Sequence, residues 1–165
     1  MSYEGDAVER ARRNEALGLP AGVVLAAMWR RVLAQLLDQL IIVVPVVVVA
    51  LAAGVRSTDD LADKQFVINL AVVLSAFTYD FVMVGVWGRT VGKFALGTRV
   101  VRVDTGGPVL WSSSAIRALI PLAAGVIPSV GSALSLVVYA TAFWHPRRQG
   151  FHDRAAGTIV ISARA

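Results

Sequence analysis

The stretch WRRVLAQLLDQLIIVVPVVVVALAAG (Trp29–Gly54) decides the fold class of this 165-residue chain. From Val32 onward it is apolar except for Gln35, Asp38 and Gln39, and a helix needs about 20 such residues to cross a bilayer. An ionisable side chain at that depth costs roughly 2.5–3.5 kcal/mol on insertion scales. Asp38 therefore predicts a buried partner and marks the place to look for a function.

The composition agrees with a membrane protein. Hydrophobic residues make up 56% of the chain and the mean hydropathy is +0.66, whereas a soluble domain is about 45–50% apolar. The chain has no cysteine, which excludes a disulfide framework and a thiolate metal site. The charged N-terminus lacks the apolar core of a cleaved signal peptide, so the first membrane helix is expected to act as an uncleaved anchor.

Four apolar blocks predict the membrane segments, at residues 29–53, 66–87, 113–127 and 129–144. The first two are long enough to span a bilayer, and each of the last two is short for a span. We therefore predict an all-α membrane protein with two full transmembrane helices and a shorter C-terminal helical hairpin broken at Pro128, three to four membrane segments in total. The alternative is one long kinked span over residues 116–144, which would place the tail outside.

The distribution of basic residues orients the chain. Lys and Arg number five up to Arg31, two in the 54–65 loop, five in residues 88–117 and four from His145 onward. Basic residues on short loops favour the cytoplasmic side, so both termini and residues 88–117 are expected there, with the 54–65 loop outside. The net charge of +5 follows this bias, and no nucleic-acid partner is expected.

The segment LGTRVVRVDTGGPVLW (Leu96–Trp111) interrupts the apolar blocks. Its TRVVRV portion is typical of a short strand, and Asp-Thr-Gly-Gly is a plausible hairpin turn. We predict a small amphipathic β-hairpin at the cytoplasmic face, to which GTIVISA (residues 157–163) would add a third short strand.

Several polar side chains in the membrane helices are expected to meet. Arg31, Gln35 and Asp38 are spaced four and three apart, so they lie on one helical stripe. Asp80 lies seven residues before Trp87, which places it at a depth similar to Asp38 in an antiparallel helix. Arg31 would reach towards both carboxylates, either as an ion-pair cluster that fixes helix register or as a proton- or cation-binding site.

The cytoplasmic motif GRTVGK (Gly88–Lys93) resembles a phosphate loop but lacks its defining positions. A Walker A motif needs a glycine where this chain has Trp87 and a Ser or Thr where it has Phe94. We interpret the motif as a tight turn at the membrane exit. Its cations, together with two arginines of the tail, are expected to bind anionic headgroups: Arg89, Lys93, Arg147 and Arg148.

The tail motif HPRRQGFHDRAAGT (His145–Thr158) offers no convincing metal site. Two histidines seven residues apart with one carboxylate are a poor ligand set, and no metal or other cofactor is expected. Asp153 is predicted to cap a helix start or to pair with Arg147 or Arg148. No nucleophile–base–orienter set appears anywhere in the chain, so the protein is not expected to be an enzyme.

Three stretches, in this order, resemble the RDD family of bacterial membrane proteins: WRRVLAQLLD (residues 29–38), WGRTVGKFALGTRVVRVD (residues 87–104) and RRQGFHDRAAGTIV (residues 147–160). The resemblance implies a family named for one arginine and two aspartates, which correspond here to Arg31, Asp38 and Asp153. It covers most of the chain from Trp29, so we expect a cytoplasmic N-terminal segment over 1–28 and a single RDD-like membrane domain over 29–165.

The resemblance implies a bacterial inner-membrane location and a family whose molecular role is mostly unassigned, with cation/proton antiport suggested for some relatives. Two functions follow as hypotheses. The first is a non-enzymatic accessory or scaffold subunit, in a homo-oligomer or a larger membrane complex. The second is a proton-coupled cation transporter that works as a homo-oligomer.

Overall fold

A computed structural model describes residues 3–127 and 130–163. The described chain is mostly helical, with one small two-stranded sheet that joins the middle of the chain to its C-terminal part. In chain order its elements are α1 (Tyr3–Ala16), α2 (Met28–Ala52), α3 (Thr58–Trp87), α4 (Val91–Ala95), β1 (Thr98–Arg102), α5 (Trp111–Gly125), α6 (Gly131–Ala140), a 3-10 turn (Thr141–Phe143), α7 (Phe151–Ala155) and β2 (Thr158–Ser162).

The two predicted long apolar helices are confirmed as α2 and α3, of 25 and 30 residues. Only 17% and 11% of their most apolar windows is buried inside the protein, whereas the core helix of a soluble protein buries most of such a face. Helix α3 begins at Thr58 rather than at the predicted Phe66. The reason is a capping box, in which Ser57 accepts a hydrogen bond from the Asp60 amide and Asp60 accepts one from the Ser57 amide.

Helices α5 and α6 pack against each other as the predicted hairpin, and α5 packs against α3. The Ser135 hydroxyl donates to the Pro121 carbonyl across the hairpin at 2.9 Å, and the Asn69 amide of α3 donates to the Gly125 carbonyl at 3.4 Å. The chain therefore turns back on itself between the two helices. The predicted break at Pro128 lies outside the described residues, and the number of membrane crossings stays a prediction.

The predicted β-hairpin is wrong in its pairing. Strand β1 pairs antiparallel with β2, with Val100 opposite Val160. The partner of β1 is therefore the tail, and not the segment that follows the Asp-Thr-Gly-Gly turn. The Asp-Thr-Gly-Gly turn does form, since Gly106 adopts a φ of 68°, but the chain then enters α5. The tail is the better partner because Ile159 and Val160 become fully buried on pairing, whereas Pro108 has no N–H for a ladder.

The sheet holds a small core between the N-terminal segment and the end of α3. Leu25 forms a β-bridge to Ile161, and Ala26 packs with Val84, Val100 and Val160. On the other face of the sheet, Leu19 packs against Val101 and Ile159. Residues 19–26, which precede the predicted membrane domain, thus join the strands to the membrane helices.

The four tryptophans of the chain lie at one end of the helical bundle. Trp29 starts α2, Trp87 ends α3, Trp111 starts α5 and Trp144 follows α6 and its 3-10 turn. Their side chains are 48–80% exposed. Tryptophan is enriched at membrane–water interfaces, so this ring of aromatic residues is typical of one bilayer boundary, on the same side as the sheet.

Candidate functional site

Six charged side chains alternate in sign along a row that is largely buried, with Asp80 the most exposed member at 21%. Neighbours in the row approach within ion-pair distance, and five helices contribute to it. We call this row the ion network; from end to end it comprises Asp38, Lys93, Asp80, Arg117, Asp153 and Arg31. Three carboxylates face three cations, so the network as a whole is neutral.

Asp38 begins the network and is only 2% exposed. Its carboxylate accepts hydrogen bonds from the Tyr79 hydroxyl at 2.8 Å, the Thr90 hydroxyl at 2.5 Å and the Gly92 amide at 2.8 Å. Close approach of α4 to α2 makes the last bond available, because a Cβ on Gly92 would lie 2.2 Å from the Ala34 carbonyl oxygen. Three donors compensate for the removal of this carboxylate from water.

Lys93 joins the two intramembrane carboxylates. Its Nζ lies 3.6 Å from Asp38 Oδ2 and 3.7 Å from Asp80 Oδ1, and it donates to the Thr90 hydroxyl at 3.1 Å. Lys93 thus brings Asp38 and Asp80 together, the two carboxylates for which a similar depth was predicted. The side chain of Lys93, which was predicted to bind headgroups, is 8% exposed and points into the network instead.

Arg117 and Asp153 continue the row from Asp80. Arg117 Nε lies 3.6 Å from Asp80 Oδ2, and Arg117 Nη1 donates to Asp153 Oδ1. Asp153 also accepts a hydrogen bond from the Gly150 amide at 3.1 Å, which places its carboxylate at the start of α7. The predicted capping role therefore holds, while the predicted pairing with Arg147 or Arg148 gives way to Arg117 and Arg31.

Arg31 closes the network at Asp153 and not at Asp38. Its Nη2 donates to Asp153 Oδ2 at 2.9 Å, and its Nη1 donates to the Arg148 carbonyl. The expectation that Arg31 reaches towards Asp38 and Asp80 is therefore corrected. Arg31 lies near the start of α2, beside α7 and the 145–149 loop, and so it meets the tail before it can reach deeper into the membrane.

The electrostatics of Asp153 keep its carboxylate charged. Burial acts to raise the pKa of this carboxyl, but the charges of Arg117 and Arg31, together with the hydrogen bond from the Gly150 amide, outweigh burial and hold the pKa below its usual range. Two guanidinium groups thus share one carboxylate, each through a charge-assisted hydrogen bond, which is the strong kind.

His152 is a neutral neighbour of the network. Its ring packs on Tyr139 with the centroids 4.5 Å apart, and its Nε2 lies 3.5 Å from Asp153 Oδ1. Burial, followed by the charges of Arg117 and Arg31, lowers the pKa of His152 to about 4, against the opposing effect of the aspartates. The Nε2–H tautomer suits this position, since Nδ1 has no partner in the described part of the chain.

Acid is expected to destabilise the fold through His152. An unfolded histidine takes up a proton below its pKa of about 6.5, while the folded one resists protonation until about pH 4. The contribution of neutral His152 to the free energy of unfolding is thus fully present above about pH 6.5, and about 3 kcal/mol of it is lost by pH 4. The charged or titratable groups around the ring are Asp153, Arg117, Asp80, Arg31 and Tyr139.

Unfolding titrations in detergent between pH 7 and pH 4 measure this effect. We expect His152→Gln to flatten the decline relative to the native chain, while His145→Gln, at a more exposed histidine, leaves it in place. Parallel declines in the native chain and in His152→Gln would rule out His152 as the source.

A cavity of about 180 Å³ lies against the network, between α2, α6 and α7. Its charged lining consists of Arg31, Lys93, Arg117 and Asp153, and Gln35 lines it too. Its remaining walls are largely apolar, including Leu36 and Leu136. The cavity gives the network a water- or ligand-sized space beside charged groups.

The other predicted headgroup residues lie outside the network. Arg89 is half-buried, with its guanidinium 4.3 Å from the centre of the Phe94 ring. Arg148 donates to the Ala26 carbonyl at 3.1 Å. Arg147 lines a second cavity on the side of the sheet. Contact of these three arginines with headgroups stays a prediction.

Three functional residues were missed from the sequence. Arg117 was counted as a loop charge, although a lone arginine beside the apolar stretch from Ile116 was a usable signal. Thr90 caps α4 and bonds Asp38, and Tyr79 bonds Asp38 from α3. A threonine or a tyrosine near a helix end is too common for the sequence to single it out.

The model of the RDD family matches residues 25–157, which contain the whole ion network. No curated protein matches the chain, and no solved structure does.

Proposed function

Because the chain belongs to the RDD family of membrane proteins, we propose that it is a non-enzymatic accessory or scaffold subunit of an assembly in the bacterial inner membrane. The observation that carries the proposal is the pairing of opposite charges within the ion network. Every charge in it has an opposite neighbour, so the site resembles a brace between helices more than a site that exchanges ions.

The ion network joins helices α2 and α3, which pack little against the rest of the protein. The α2 and α3 windows are mostly unburied, and a single chain with two long helices encloses little volume. The network ties these helices at one end to α4, α5 and α7. A rigid end of this kind suits a subunit that presents its free helix faces to other membrane helices, either of a second copy or of a different protein.

The proposed orientation places the sheet and both termini in the cytoplasm. The bias of basic residues towards the N-terminus, residues 88–117 and the tail supports it. The tryptophans lie at the ends of helices that these basic segments adjoin, as expected for a membrane interface. Anionic headgroups on this side are proposed partners of Arg89 and Arg148.

One observation favours a second candidate, a proton-coupled cation transporter that works as a homo-oligomer. The 180 Å³ cavity reaches Lys93, which links Asp38 and Asp80. Because Arg31, Lys93 and Arg117 outnumber Asp153 in its lining, a cation can bind there only once Lys93 has left the two carboxylates. Displacement of Lys93 from the two carboxylates would then be the first step of binding, and Asp38 would be the titrating group.

Native mass spectrometry from mild detergent tests the scaffold proposal. We expect a homo-oligomer or a complex with a co-purifying membrane protein. A strictly monomeric chain, also after reconstitution in native-like lipid, would contradict the proposal.

Flux measurements in reconstituted vesicles separate the two candidates. The scaffold proposal expects native protein to give no pH-gradient-driven Na⁺ or K⁺ flux above that of protein-free vesicles. Flux that Asp38→Asn abolishes, while the exposed-site control Asp104→Asn retains it, would establish the transporter instead.

A further inference from the structure

A second cavity, of about 470 Å³, lies on the sheet side of the protein, away from the ion network. It is an open pocket, lined by the end of α1, the residue after β1, the 145–149 loop and α7. We call it the basic pocket, because its polar lining consists of His145, Arg147, Gln149 and Arg154, with Leu17 and Val103 among its apolar walls.

The charges of the basic pocket are unmatched, in contrast to those of the ion network. No aspartate or glutamate is among its lining residues, and within residues 3–127 and 130–163 neither Arg147 nor Arg154 forms an ion pair. Glu15, adjacent to the lining, does not approach them within ion-pair distance either. Two guanidinium groups thus share one pocket that has no acidic side chain among its lining residues.

Both arginines of the basic pocket lie close enough to His145 to lower its pKa. Burial lowers the pKa of His145, and the charges of Arg154 and Arg147 lower it further. The carbonyl end of α1 adds only about half a negative charge, which does not offset two full positive charges. The pocket therefore favours an anion.

The backbone of the 145–149 loop separates two adjacent arginines. Arg148 is the one non-glycine residue with a positive φ in the described part of the chain, at 52°. Its carbonyl accepts from Arg31 and its guanidinium donates to Ala26, while Arg147 turns to the pocket. Gln149 is fixed by a 2.8 Å hydrogen bond to the Thr158 carbonyl. The ion network thus holds the loop that presents Arg147.

The pocket borders the membrane interface. Trp144 directly precedes His145 and is 80% exposed, and Phe143 is 58% exposed. Exposed aromatic residues at a helix end mark headgroup depth, and guanidinium groups bind phosphate through paired hydrogen bonds. We propose that the basic pocket binds the phosphate group of an anionic membrane lipid, with Arg147 and Arg154 as its ligands. The proposal does not depend on the scaffold role.

The test uses the full chain in nanodiscs of phosphatidylcholine that contain a minor fraction of phosphatidylglycerol. Native mass spectrometry then counts the lipid molecules that stay bound to the protein after its release from the nanodisc. We expect preferential retention of phosphatidylglycerol, reduced about tenfold by each of Arg147→Gln and Arg154→Gln, since each removes a charged hydrogen-bond donor. Arg154 is exposed, so its variant is expected to fold even if Arg147→Gln does not.

The matched control is the double variant Arg12→Gln/Arg13→Gln, which removes two exposed charges from α1 and should retain lipid as the native chain does. Equal losses in this control and in Arg147→Gln/Arg154→Gln would reduce the effect to general surface charge and overturn the proposal. Saturable binding of inorganic phosphate in pure phosphatidylcholine nanodiscs, without retention of phosphatidylglycerol, would assign the pocket to a free phosphate and overturn the lipid assignment.

Discussion

Asp153→Asn is expected to lower the free energy of unfolding by about 3–5 kcal/mol, the range measured when one member of a buried ion pair is removed. The Asp153 side chain is 2% exposed and pairs with both Arg31 and Arg117. The amide keeps the shape of the carboxylate but loses its charge, so two guanidinium groups are left facing one another. SDS unfolding titrations in mixed micelles, followed by tryptophan fluorescence, measure the change.

The control is Asp104→Asn, since Asp104 pairs with Arg102 at the exposed turn after β1. This substitution should leave the unfolding midpoint unchanged, because exposed pairs are screened by solvent. A comparable shift of the unfolding midpoint in both variants would show that a buried ion pair stabilises the fold no more than an exposed one.

A double-mutant cycle with Arg117→Gln tests the mechanism of the loss. If Asp153 acts by neutralising Arg117, the double variant should be more stable than the sum of the two single changes predicts. Additive losses would mean that the two side chains contribute independently, and the ion network would then not be a single unit.

Features of the fold that depend on neighbouring residues in the sequence were predictable, and features that depend on distant residues were not. The lengths of α2 and α3 are local properties, so hydropathy identified both helices. The start of α3 was also readable, since Ser57 and Asp60 have capping-box spacing. The pairing of β1 with β2 was not, because Val100 and Val160 are sixty positions apart and only three-dimensional packing brings them together.

The site was predictable where a charge interrupts an apolar stretch. Asp38 and Asp80 stood out for that reason, Arg31 stood out because it shares a helical stripe with Asp38, and Asp153 stood out as a candidate helix cap in the tail. Their connections were not predictable, because they depend on where α4 and α7 fold. Lys93 follows a glycine near a membrane exit, which suggests headgroups, yet the turn at Gly88 directs α4 back against α2. The same turn makes Lys93 the centre of the network.

Gly92→Ala is expected to be nearly as damaging as the loss of Asp153. A Cβ at this position would lie 2.2 Å from the Ala34 carbonyl oxygen and 2.9 Å from Asp38 Cγ, and a backbone oxygen cannot rotate away. Helix α4 must therefore move off α2, which breaks the hydrogen bond from the Gly92 amide to Asp38 and draws Lys93 away from its carboxylates. We expect a loss of about 3 kcal/mol, the upper end of the usual range for overpacking.

The matched control is Gly107→Ala, where the nearest neighbour of the added methyl would be the Thr105 hydroxyl at 3.3 Å. A hydroxyl on an exposed turn can rotate aside, so this variant should unfold with the native midpoint. The same SDS titration compares the two glycines. If Gly92→Ala also kept the native midpoint, the contact between α4 and α2 would have to be looser than the structure shows, and Lys93 would not be held between Asp38 and Asp80.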